Sequence, residues 1–169
     1  IELVGATHLI ESGTASGQST ELLARYFKRR LQITTIDRDT LYGLYEQTKK
    51  RLSAYKSITL IKGDSFVEIP RLLNALPNGS RAVVFVDGPK GHMGFQLAKA
   101  CLRHKRVPLV ALHDTARVWD RSLHDELIRH KEFLMETSLP RFRSRFSAMD
   151  ASHGELDIIS EEYRKNPLW

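Results

Sequence analysis

"IESGTASGQST", residues Ile10–Thr20, decides how this chain is read. An apolar run ends at an acidic residue and passes into Gly13 and Gly17, with only small side chains between them, before helical spacing begins. Glycine loses more backbone freedom on folding than any other residue, so two close together imply a tight turn or a ligand lying against the main chain. At a strand-to-helix turn the ligand reading has a physical basis, because a helix N-terminus presents unpaired N–H groups to an anion. The plain alternative is a βα turn that happens to be rich in small residues.

Outward from this stretch, short apolar runs suited to buried strands recur as "HLIES", "ITTID", "ITLIKG", "AVVFVD" and "VPLVALHD". Segments with helical spacing lie between them. In "STELLARYFKRR" the spacing puts Leu22, Leu23, Tyr26 and Phe27 on one face; in "TLYGLYEQTKKRL" it does so for Leu41, Leu44, Tyr45, Thr48 and Leu52, with Asp39 or Thr40 as cap. "SFVEIPRLLNAL" and "HMGFQLAKACLRH" fill the next two gaps, and Pro70 must start or bend the first of these. The alternation predicts βαβ units: an α/β, Rossmann-like fold with a parallel sheet and helices on both faces. Such sheets bind ligands at the carboxyl ends of their strands, where strand order reverses. Glu11 or Gly13, Asp37, Asp64, Asp87 and Asp114 would therefore line a single rim.

Beyond Asp114, "VWDRSLHDELIRHKEFLMET" reads as one long helix. "RFRSRFSAM" and "ELDIISEEY" alternate like two strands around the turn "DASHG". The expectation is a mostly parallel seven-stranded sheet that ends in a C-terminal antiparallel hairpin, all within one domain over residues 1–169. The chain opens on Ile1 rather than Met, so a preceding segment is expected.

The 169 residues suffice for a core without staples, and one cysteine, Cys101, excludes an internal disulfide framework. Cysteine usage points to a reducing compartment, with cytoplasm as the default, and no apolar run approaches a membrane span. The formal charge of +6 suits either a polyanionic partner or simply a solvated basic surface. No aromatic-rich basic stripe accompanies it, so nucleic acid is the lesser reading. The G-x-x-x-G spacing is not the G-x-G-x-x-G of dinucleotide folds, and no P-loop occurs.

Taken together, "IESGTASGQSTELLA", "TTIDRD", "IKGDS", "VFVDGPKG" and "VALHDT" resemble the motifs of class I S-adenosylmethionine-dependent methyltransferases, in family order over roughly residues 8–115. The chain is similar to the catechol O-methyltransferase-like branch and to related small-molecule and sugar O-methyltransferases. The resemblance implies that Glu11, Gly13, Gly17 and Ser19 receive the methionine part of S-adenosylmethionine. It implies that Asp37, with the adjacent Arg38, meets the ribose hydroxyls, that Asp64 and Ser65 meet the adenine, and that Asp87 borders the cofactor. In that branch a divalent metal, Mg²⁺, is held at the positions of Asp87, Asp114 and Thr115; threonine replaces the usual Asn and is a poorer ligand. Lys90 matches the general base, His113 is its rival in sugar-methylating relatives, and His92 is weaker. The expected partner is a small-molecule acceptor, a phenol or sugar hydroxyl, with no membrane and with a homodimer left open. Two other readings stand beside this one: an RNA-modifying methyltransferase, suggested by "RFRSR", and a non-catalytic S-adenosylmethionine-binding module.

Overall fold

The computed structural model describes residues 1–39 and 43–114, together with three isolated helical positions, Ser122, Glu126 and Arg129. By its internal contacts the chain divides into two units, Ile1–Leu123 and His124–Trp169, and nearly all described residues belong to the first. The strands are β1 (His8–Ser12), β2 (Gln32–Asp37), β3 (Ile58–Lys62), β4 (Ala82–Val86) and β5 (Leu109–Leu112). The helices between them are α1 (Gln18–Phe27), α2 (Tyr45–Leu52), α3 (Ser65–Ala75) and α4 (Gly91–Leu102). The five strands form one sheet in the order β3-β2-β1-β4-β5, and every pairing is parallel. This is the expected α/β architecture of Rossmann-like kind. The order reverses at β1, whose two neighbours are β2 and β4.

Period-two alternation sends successive side chains to opposite faces of the sheet. Leu9, Ile33 and Val83 pack with Ala24 and Phe27 of α1 on one face. Ile10, Ile36, Val84 and Val86 pack with Ile69 and Leu73 of α3 and with Leu97, Ala98 and Cys101 of α4 on the other. Each fully buried aliphatic side chain contributes roughly 1.5–3 kcal/mol of transfer free energy, so these two layers carry most of the fold.

Helix α1 turns only part of its expected face to the core: Leu23 and Phe27 pack there, and Leu22 and Tyr26 do not. Leu22 and Tyr26 are 68% and 60% exposed, while Thr20, Ala24 and Phe27 are buried. Thr20 turns inward to donate a hydrogen bond to Glu11, and that polar tie sets the rotation. Helix α2 begins at Tyr45 with Leu44 at its N-cap, but Asp39 still serves it, accepting the Tyr45 N–H at 3.1 Å. Pro70 sits in the second turn of α3 rather than at its start. The hairpin expected over residues 141–163 lies outside the described residues. Among those that are described, no helix is long and apolar enough to cross a membrane.

One constraint at the switch point is steric. A Cβ on Gly13, whose φ is +92°, would meet Gly88 N at 2.7 Å and the Asp87 carbonyl carbon at 3.0 Å. Gly79 has a similar φ of +81° with nothing within 4 Å of its Cβ position. Gly13→Ala should therefore cost about 3 kcal/mol or more in urea unfolding, and Gly79→Ala only about 1 kcal/mol. Equal losses would show that backbone conformation alone, not the contact with Gly88, requires glycine at position 13.

Candidate functional site

The loops that leave the carboxyl ends of the strands are bonded to one another. Gly13 N–H donates to Ile36 O at 2.9 Å, and the Asp87 and Gly88 N–H groups both donate to Ser12 O at 2.8 Å. Gly63 N–H donates to Asp37 O at 2.9 Å, and His113 N–H donates to Val86 O at 3.0 Å. The rim expected from the acidic strand ends is therefore a continuous backbone structure.

On the β2 side, Asp37 Oδ2 accepts the Thr14 and Ala15 N–H groups at 2.9 and 2.8 Å, and Oδ1 accepts Asp39 N–H at 2.7 Å. Below this lies a chain of hydroxyls. Thr14 Oγ1 is 2.6 Å from Thr35 Oγ1, which donates to Glu11 Oε2 at 2.6 Å; Thr20 donates to the same oxygen. Glu11 is 0% exposed, and its other oxygen, Oε1, is buried without a hydrogen-bond partner. Burial raises its pKa, and Asp87 adds to the rise; donation from Thr20, Thr35 and Ser19 opposes it.

On the β3 side, Asp64 caps α3, accepting Phe66 N–H at 2.8 Å, and pairs with Arg38 at 3.0 Å. Ser65 turns inward, its Oγ 2.6 Å from the buried Ser12 Oγ, and Ser12 in turn donates to Gly88 O. Helix α1 starts at Gly17 with no side-chain capping bond, which leaves first-turn N–H groups for an anion; Ser19 is exposed there. Gly17 has φ +74°, and a Cβ on it would meet Thr48 Cγ2 at 3.0 Å. Both glycines thus make room for protein: Gly13 for the β4 loop and Gly17 for α2.

Beside Gly13, the loops after β4 and β5 bring four charged groups together. Lys90 Nζ lies 2.5 Å from Asp87 Oδ1 and 2.6 Å from Asp114 Oδ2. His113 Nδ1 lies 2.8 Å from Asp87 Oδ1 and 3.0 Å from Asp114 Oδ1. Asp114 reaches this position with φ +55°, a left-handed conformation that aspartate tolerates better than most residues. Asp87, His113 and Asp114 each offer a ligand atom, all within 4.8 Å of one another, and this donor set fits a divalent cation.

Burial would raise the Asp87 pKa, but donation from His113 and Lys90 outweighs it and the net shift is downward. Burial would lower Lys90, and its bonds to Asp114 and Asp87 outweigh that, so it rises. His113 rises chiefly through its bond to Asp87, against desolvation.

The structure gathers Glu11, Gly13, Asp37 and the Asp87–Lys90–His113–Asp114 group around one switch point. It commits Ser65 to Ser12 and Arg38 to Asp64; Thr115 lies outside the described residues. Sequence reading missed Thr14, Thr20 and Thr35, although threonine in the middle of the apolar run "ITTID" was a visible signal. No protein-family model matches the chain, and no curated protein matches it significantly.

His113 stabilises the fold fully below its unfolded pKa and loses that contribution as pH rises through its raised folded value. Asp87 stabilises above its unfolded pKa, and that contribution is lost as pH falls through its lowered folded value. An NMR titration should place the His113 midpoint above the ordinary value of about 6.5, and Asp87→Asn should bring it down. A parent midpoint at or below the ordinary value would contradict the pairing.

Proposed function

We propose that this chain is an S-adenosylmethionine-dependent methyltransferase that acts on a hydroxyl of a small molecule. The observation that carries the reading is the juxtaposition, at the β1/β4 switch point, of the Gly13–Gly17 loop with the Asp87–Lys90–His113–Asp114 group. Two features support a fit to the amino-acid end of the cofactor. The uncapped start of α1 suits a carboxylate, and the buried, unpartnered Glu11 Oε1 suits a donor such as an ammonium group. The two further strands over residues 141–149 and 155–163, completing seven, belong to the same reading, as does a cytoplasmic setting.

When bound, the cofactor supplies a methyl group already activated on a sulfonium, so the protein's task is to align an acceptor oxygen and remove its proton. His113 suits the proton transfer. Its Nδ1 faces Asp87 and Asp114, which fixes a proton there and leaves Nε2 as the basic atom for an acceptor hydroxyl. Lys90, its ammonium held between two carboxylates, stabilises the negative charge that develops on the acceptor oxygen. This reverses the emphasis of the family resemblance, in which Lys90 is the base.

A second reading, favoured by the 4.8 Å grouping, replaces that arrangement: with Nδ1 of His113 deprotonated and the Lys90 ammonium moved aside, Asp87, Asp114 and His113 would hold a divalent ion that lowers the pKa of the acceptor hydroxyl. The imidazole nitrogen in that set suits a first-row transition metal better than Mg²⁺.

The test uses an acceptor found by screening phenols and sugars. His113→Ala should lower turnover about a hundredfold while changing S-adenosylhomocysteine affinity by no more than about threefold, because a general base acts on the acceptor. In the parent, turnover should rise with pH through the His113 pKa. Loss of all activity in chelator would favour the metal-assisted route. No calorimetric response to S-adenosylmethionine or S-adenosylhomocysteine would sink both.

A further inference from the structure

We infer that Asp37 is a positioning residue, whose carboxylate anchors the Gly13–Gly17 loop in the shape that meets a ligand. The loop has three residues with positive φ: Gly13 at +92°, Ala15 at +45° and Gly17 at +74°. A left-handed alanine is strained, so the surroundings must hold it in place. Successive amides in such a segment form a cradle for an anion, and here the anion belongs to the chain itself. Asp37 Oδ2 accepts both Thr14 and Ala15 N–H groups, and Oδ1 accepts Asp39 N–H.

The other ties to this loop are neutral. Thr48 Oγ1 donates to Ala15 O at 2.6 Å, Gly17 N–H donates to Thr14 O at 2.8 Å, and Thr14 Oγ1 meets Thr35. Bonds to a charged acceptor are roughly twice as strong as neutral ones, so Asp37 contributes most to loop order. A carboxylate has about four acceptor positions and three are filled, which leaves room for one ligand hydroxyl at most. Its effect on ligand affinity rests on the methyltransferase reading; the anchoring itself does not.

The test is amide hydrogen exchange on the ligand-free protein. In Asp37→Ala the Thr14, Ala15 and Asp39 amides should exchange about tenfold faster or more, while β1 and β4 amides keep their protection. Asp37→Asn covers the case in which the alanine variant does not fold. Its carbonyl can still accept Thr14 and Ala15, so their protection is partly restored, while its NH₂ group faces Asp39 and that amide loses protection. If all three amides stay as protected in either folded variant as in the parent, the anchor is overturned and Asp37 acts on ligand alone. In a separate calorimetric arm, Asp37→Ala should weaken S-adenosylhomocysteine about tenfold. A parent that does not bind this probe would overturn the link to affinity and the functional reading, and leave the exchange result to decide the anchor.

Discussion

The site depends on one close approach: the backbone of Gly13 lies against the backbone of Asp87 and Gly88, where even a methyl group has no room. Strand order makes β1 and β4 neighbours, and the two N–H groups that converge on Ser12 O carry that pairing past the ends of the strands. Without this contact the loop after β1 would part from the loop after β4. The anchored glycine turn and the charged group around Lys90 would then no longer share a rim.

Charge is distributed unevenly about that contact. On the β4–β5 side two carboxylates are balanced by Lys90 and by His113 when it is protonated, all of them partly exposed. On the α1 side Glu11 is fully buried among threonine hydroxyls, with one oxygen unsatisfied. A buried acceptor without a donor costs about 1–3 kcal/mol, and a ligand or water that supplied one would recover it.

The strand–helix alternation and the acidic strand ends were legible in the sequence because they follow from local periodicity. Asp87 and Asp114 were legible as neighbours because parallel topology places the ends of consecutive strands on one edge; His113 was legible as a candidate base but not as a third member of the carboxylate group. What could not be read were partners supplied by tertiary packing. Nothing local shows that Ser65 would be turned to Ser12, or that the amides of Thr14 and Ala15 would fill Asp37. The α1 face was misread in part for a similar reason: Leu22 and Tyr26 fit an apolar stripe, but the Thr20–Glu11 bond sets the rotation. The glycines were legible as positions that need a reason, and the reason the structure gives is contact with the β4 loop and α2.

The proposed function requires this rim to bind a nucleoside-linked amino acid against the Gly13–Gly17 loop. The most direct measurement is backbone NMR of the protein titrated with S-adenosylhomocysteine. Saturable shifts are expected at Gly13 to Ser19, around Asp37 and Asp64, and at Asp87 to Lys90, with the amino ends of the strands unmoved. Saturating ligand that leaves these amides unshifted, or that moves residues elsewhere instead, would contradict it.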